Sequence, residues 1–219
     1  MTSRPSPLSS QSDIAAETPG DDPTGALAAL VTSRICHDLI SPVGAIDNGV
    51  ELIEAMNVGT SSPEMVLIGE SARSAAAKLR LFRLAFGAAG ADGVSRGREL
   101  EQLFTDCFTK PRLRFSWAGG PRDMARSEAK MLALALLCAD SALPLGGLLT
   151  AVTGEKLRIE GTGPRIKLDP RLAAALESPQ DVSTFRAGEV QFLLARLQAA
   201  TIGRPIALDL SEERLTLTI

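Results

Sequence analysis

The chain has 219 residues, 45% of them apolar, with a net charge of −3, one tryptophan, no tyrosine and one histidine. That length suggests one or two domains, and the apolar share is ample for a packed core. Slight acidity and few stacking aromatics give no support for a nucleic-acid surface, which needs a basic stripe with aromatic platforms. The three cysteines, at positions 36, 107 and 138, have neither metal-ligand spacing nor the pattern of a disulfide framework. They suit a reducing cytoplasm.

Residues 1–22 are rich in Ser, Pro, Thr and Asp. They carry no hydrophobic period and no positive-then-apolar leader pattern, and read as a disordered tail. No apolar run approaches the ~20 residues of a membrane-spanning helix. The run 131–139 is short and bracketed by Lys130 and Asp140.

The first helix is announced by Asp22, which can cap, and by Pro23, whose missing N–H would be unpaired there anyway. From Leu27 to about Met56 the apolar residues follow a helical period. At ~100° per residue, Val31, Ile35, Leu39, Pro42, Ile46, Val50 and Ile53 fall close to one line. His37 falls nearly opposite that line. Ser33, Ser41, Gly44, Asn48 and Glu51 share its outer face, so the surroundings of the histidine are mainly small. Ile40 sits at the edge of that face as an exposed apolar side chain. Pro42 removes one helical hydrogen bond and crowds the Asp38 carbonyl, at a cost of ~3 kcal/mol. Such a defect one turn beyond a polar-face histidine reads as functional.

The helix is expected to stop near residues 57–59, and a second to run from Pro63 to about Phe86. Met65, Ile68, Ala72, Ala75, Leu79, Phe82 and Phe86 form its apolar stripe. Two helices with one stripe each cannot bury it as an isolated hairpin. Pairing two hairpins into a four-helix bundle would, so residues 24–89 are expected to form a homodimer. Residues 87–93 read as a linker.

Beyond the linker the period changes. Helices are predicted over 98–108, 127–142, 170–177 and 188–201. Strands are predicted over 113–117, 148–152, 156–160, 165–167, 205–209 and 215–219. Residues 95–219 thus read as an α+β sandwich with mostly antiparallel strands.

The run His37-Asp38-Leu39-Ile40-Ser41-Pro42-Val43 resembles the H-box of sensor histidine kinases. There His-Glu/Asp-Leu-x-Ser/Thr-Pro-Leu/Val marks the phosphorylated histidine of a dimerising hairpin. Extended through Ala45-Ile46-Asp47-Asn48-Gly49-Val50-Glu51-Leu52, it is similar to the dimeric ChpT-type histidine phosphotransferases of alphaproteobacteria. The motif covers residues 33–53, and the order of hairpin and sandwich extends the resemblance to most of the chain. The sandwich resembles the ATP-binding domain of histidine kinases without its ATP motifs. That family holds Mg2+ with an Asn on its first long helix, but Asn48 and Asn57 both lie in the hairpin, and the corresponding helix reads Leu137-Cys138-Ala139-Asp140-Ser141. The nearest echo of the adenine motif Asp-x-Gly-x-Gly is Gly161-Thr162-Gly163, with Ile159 in place of the Asp. The domain is therefore expected to be degenerate and not to bind ATP.

The resemblance implies that His37 takes a phosphoryl group from the receiver domain of a hybrid histidine kinase and passes it to response-regulator receivers. Mg2+ would come with the receiver, and the chain would bring no cofactor or metal of its own. Asp38 would orient the imidazole or accept its proton, with an ordinary solvated carboxylate as the alternative. Ser41 would contact the docked receiver. Arg34, Ile40, Gly44, Asn48 and Glu51 would form the docking face, although Arg34, like Arg80 and Arg83, also fits a solvated surface charge. Two other readings stand: a sensorless kinase that autophosphorylates with ATP, and a dimeric scaffold that binds receivers without chemistry.

Overall fold

Asp22 opens the first helix. Its carboxylate oxygens accept from the backbone N–H groups of Thr24 and Gly25, each at 2.9 Å, which satisfies two donors that a helix start leaves unpaired. From there α1 runs over Pro23–Met56, with Pro42 inside it. The structure, a computed structural model, describes residues 22–56, 63–87 and 93–219. Apart from Asp22 the expected tail lies outside the described residues, as do the expected stop at 57–59 and most of the linker.

The second helix, α2, spans Pro63–Phe86. Lys78 meets Asp38, and Ile68 lies against Gly49, so the two helices run antiparallel. Their contact line differs from the predicted one. Among the described side chains of α1, Pro42 and Gly49 are buried, roughly 40° round the helix from the centre of the predicted stripe. Val43 and Val50 remain 53% and 41% exposed. The stripe of α2 divides in the same way. Phe82 is buried, whereas Leu79 is 55% exposed and Met65 and Ala72 are also exposed. Each apolar stripe is thus broader than one neighbouring helix can cover. Half of it packs within the hairpin and half faces outward.

The outward half leaves α1 apolar on average, although no unbroken apolar run in it approaches a membrane span. Pro23–Ile53, 31 residues long, reaches a mean hydropathy of 1.2 over an 18-residue window and by length and composition alone could cross a membrane. The sequence reading looked for an unbroken apolar run. Here alanines, valines and isoleucines reach the same average around Arg34, His37, Asp38 and Asp47. A core helix of a protein assembly passes the same test.

The two glycines of α1 near the site sit in opposite environments. A Cβ on Gly49 would come within 2.6 Å of Ile68 Cγ1, whereas one on Gly44 would meet nothing within 4 Å. Gly49→Ala is therefore expected to destabilise by about 1–3 kcal/mol through overpacking. Gly44→Ala is expected to stabilise by roughly 0.5–1 kcal/mol through helix propensity. Urea midpoints at fixed protein concentration should move in opposite directions.

After the hairpin come β1 (Val94–Ser95), α3 (Gly97–Phe108), β2 (Leu113–Ala118), β3 (Met124–Ala125) and α4 (Arg126–Ser141). Then follow β4 (Gly147–Thr153), β5 (Leu157–Thr162), α5 (Pro170–Glu177), α6 (Val190–Thr201), β6 (Ala207–Leu210) and β7 (Arg214–Thr218). Strands β1 and β3 pair with each other, while the main sheet has the order β2-β4-β5-β7-β6. Only the β2–β4 pair in it is parallel. Leu149 and Ala151, Leu157 and Ile159, and Leu215 and Leu217 are buried in alternation, as expected of a sheet with one covered face.

The covering layer is centred on α4, whose residues Met131 to Ala139 are all buried. It lies between the sheet and the helices α2 and α6, so no side of it reaches water. Leu81 and Ala85 of α2 belong to the same core as Phe104, Trp117 and Leu132, and Leu27 and Leu30 of α1 pack against it. Hairpin and sandwich therefore share one hydrophobic core. Lys130 Nζ donates to the Gly87 carbonyl at 2.7 Å across this joint, and burial holds the lysine pKa below its usual value.

The strand expected over 165–167 is absent. That segment is irregular, with Ile166 N–H donating to Glu212 O and Lys167 N–H to Ala142 O, each at 2.9 Å. Its neighbour β5 already has β4 on one side and β7 on the other, so no free edge was left beside it. Cys107 is half-buried and Cys138 buried, which disfavours their thiolates. Burial pushes the Cys107 pKa up to about 12 and raises that of Cys138 as well.

Candidate active site

His37 stands out from α1 with its side chain 85% exposed. Its Nδ1 lies 3.1 Å from Asp38 Oδ1. The other Asp38 oxygen lies 2.9 Å from Arg34 Nε, one helical turn back. This is a close ion pair rather than an aligned hydrogen bond. Arg34 Nη1 in turn donates to the Gly188 carbonyl at 2.7 Å. An ionised carboxylate can only accept, so Nδ1 is the imidazole donor and the lone pair rests on Nε2. The site thus turns Nε2 toward solvent, with the ring oriented from behind.

The support reaches further into the sandwich. Gly188 lies in a single 3-10 turn, Ala187–Glu189. The Glu189 carboxylate accepts from Arg186 N–H and from Arg171 Nη2, each at 2.9 Å. Partial burial works to raise the Glu189 pKa. The backbone donor and the two arginines outweigh it and hold the carboxyl below its usual range. The carbonyl that receives Arg34 is therefore fixed by a short ionic chain rather than by a loose loop.

Pro42 sits buried one turn beyond the histidine. Having no N–H, it cannot bond the Asp38 carbonyl as an ordinary helical residue would. Lys78 Nζ, from α2, donates to that carbonyl at 3.1 Å. Beside this contact runs an open groove of about 300 Å³, bordered by Ser41, Pro42 and Ala45 on α1 and by Glu70, Ser74 and Lys78 on α2.

The remaining residues singled out in the sequence fall as follows. Ser41, Asn48 and Glu51 are exposed, Gly44 opens onto free space, and Ile40 is 70% exposed. Arg34 departs from its expected place in the docking face. Its side chain is only 18% exposed and is committed to Asp38 and Gly188. It is drawn inward because both its partners lie on the sandwich side of α1. Arg80 pairs with Asp106 at 3.9 Å, and Arg83 lines a cleft with Arg96, Arg98 and Arg126, away from His37.

Sequence reasoning missed Lys78, Gly49 as a helix contact, and the Gly188 turn. Only Lys78 left a signal, as the cation that follows the small-residue run Ser74 to Ala77. In the sandwich, the glycine pair that echoes the adenine motif is covered. A Cβ on Gly161 would meet Leu143 Cδ1 at 3.4 Å, and one on Gly163 would meet Leu143 Cδ2 at 3.0 Å.

The chain thus combines an α+β fold, a helical hairpin and a single displayed imidazole. Residues 97–214 match the family described as the histidine phosphotransferase C-terminal domain, and the chain belongs to that family. It is 40% identical over 152 residues to protein phosphotransferase ChpT of Brucella abortus (strain 2308), covering 69% of this chain and 67% of that one. A solved structure of a bacterial phosphotransferase superposes with a TM-score of 0.73 at 32% identity, covering 89% of this chain and 96% of the other. His37 lies outside the span matched by the family.

Proposed function

We propose that the chain is a phosphorelay transferase in which His37 accepts the phosphoryl group. The observation that carries this reading is the Asp38–His37 contact, which leaves Nε2 free and fully presented on a helix face. In the reaction, Nε2 attacks the phosphorus of an aspartyl phosphate on a receiver domain. The bond from phosphorus to the aspartate oxygen breaks, and the receiver's carboxylate leaves with that electron pair. The Nδ1 proton stays in place, and the positive charge that develops on the ring is met by Asp38. Transfer to a second receiver is the same step reversed. Such chemistry depends on in-line positioning and charge neutralisation more than on further covalent groups.

The donor is the receiver domain of a hybrid histidine kinase and the acceptors are response regulators, all in a reducing cytoplasm. Mg2+ belongs to the receiver, and this chain uses no cofactor. It uses no ATP either, a reading supported by Leu143 over Gly161 and Gly163 and by the lack of any asparagine in Leu137-Cys138-Ala139-Asp140-Ser141. The test is incubation with a labelled phosphorylated receiver and, separately, with labelled ATP and Mg2+. Acid-labile label is expected on the chain in the first case and none in the second. Saturable micromolar ATP binding, or label from ATP, overturns the reading.

The working form is a homodimer joined through Val43 and Val50 of α1 and Ala72 and Leu79 of α2, the outward half of both stripes. A four-helix bundle would bury these side chains against their symmetry mates. Val50→Glu places a carboxylate in that interface, where an unpaired ion costs several kcal/mol. Val50 is half out of the single chain, so the hairpin itself should survive. Light scattering is expected to show a monomer at concentrations where the parent chain is dimeric. A stable Val50→Glu dimer would put the interface elsewhere.

A further inference from the structure

We infer that Lys78 is a positioning residue for phosphoryl transfer, replacing from α2 the hydrogen bond that Pro42 deletes within α1; the inference rests on His37 being the phosphoryl acceptor. The Asp38 carbonyl would ordinarily accept from the N–H of residue 42. Pro42 has none, and its ring pushes that carbonyl off the helix axis. The carbonyl faces the neighbouring helix, and a backbone oxygen there needs a donor. Lys78 is half-buried and reaches across the helix gap to place Nζ 3.1 Å from it. The ammonium is the stronger kind of donor, because a charged N–H binds a carbonyl more tightly than a neutral one.

The position of that carbonyl matters because of the residue that owns it. Asp38 carries the carboxylate that holds His37 Nδ1 at 3.1 Å. A shift of its backbone turns the carboxylate, and the carboxylate turns the ring. Arg34 fixes the side chain of Asp38 from the sandwich side, and Lys78 fixes its main chain from α2. With both in place the imidazole is held by two anchors on different elements. Pro42 thus serves to hand control of the phosphoacceptor turn from α1 itself to the facing helix.

A double-mutant cycle tests this, because Pro42→Ala restores the missing backbone donor. Lys78→Met keeps the length and apolar stem of the side chain and removes the donor. With Pro42 present, Lys78→Met is expected to slow transfer from a saturating phosphorylated receiver by about tenfold to a hundredfold, with KM little changed, as for a misplacement of about 1 Å. Lys78→Arg should recover most of the rate. In the Pro42→Ala background, Lys78→Met should cost less than about twofold, which is the non-additivity of two groups that serve one carbonyl. The only histidine in the chain supplies a second readout that needs no activity. The imidazole Cε1–H resonance should move on Lys78→Met with Pro42 present and stay put when Pro42→Ala is present. Equal losses in both backgrounds, with equal resonance shifts, would overturn the inference and place Lys78 on the phosphoryl group or on the fold at large. A wild-type rate and resonance for Lys78→Met would also overturn it. His37→Gln run alongside separates the two failures: if that variant still takes label, the acceptor assignment has failed instead.

Discussion

His37→Gln is expected to take no phosphoryl group from any phosphorylated receiver. Glutamine matches the imidazole in reach and polarity, but its amide nitrogen has no lone pair available to attack phosphorus. No other histidine exists to substitute, and the nearest thiol, Cys36, is directed about 100° away round the helix. The loss should therefore be complete rather than partial. The fold should not notice the change. The side chain is 85% exposed and is held by its sequence neighbour Asp38. Surface substitutions of this kind fall within about 0.5 kcal/mol, or a thermal midpoint shift of about 1–2 °C at this size. The check is a label-transfer assay beside a melting curve. Acid-labile phosphate on His37→Gln would remove this residue from the mechanism.

Gly44→Leu is expected to lower transfer by orders of magnitude in both directions while leaving the proposed dimer intact and raising its melting temperature by a few degrees at most, from the gain in helix propensity. Position 44 follows His37 by two turns and opens onto free space, with nothing within 4 Å of a built Cβ. A receiver that brings its aspartate within reach of Nε2 must lay a surface along this line. Leucine there adds a branched side chain under the incoming backbone, where 70% exposed Ile40 would supply the apolar contact. Stopped-flow or quench measurements with donor and acceptor receivers should show the loss in kcat/KM. An unchanged rate would move the docking face off this side of α1. Gly44→Ala, with its small side chain, separates steric blocking from any effect of the backbone.

The start of α1 was legible because it is local. Asp22 with Pro23 marks a helix start, and the structure shows the aspartate bonded to the first free N–H groups. The outward face of His37 was legible for the same reason: residues 37–43 lie on one helix, where spacing alone assigns faces. The misreadings all involve a second element. Periodicity located the apolar stripe of α1 but could not say which half would meet α2, since that depends on the neighbour's side chains. Arg34 read as a free cation because its partner Gly188 is 154 residues away. Lys78 was invisible as a partner of Asp38 until the helices were laid side by side. The two-residue strands β1 and β3 are too short for any alternation to register.

The core shared by hairpin and sandwich bears on how the protein is timed. Leu81 and Ala85 of α2 are packed among the side chains of α3, β2 and α4, and a large apolar joint of this kind opposes relative domain motion. An ATP-driven kinase must let its nucleotide-bearing lobe travel to the histidine and withdraw again. This molecule has no slack for that journey, and on the proposed mechanism it needs none. Its imidazole is always on display, so traffic through it is metered by which receivers collide with it and how many of them carry phosphate. The flow of phosphate would then reverse whenever the balance of charged and empty receivers reverses, with no internal clock to forbid it.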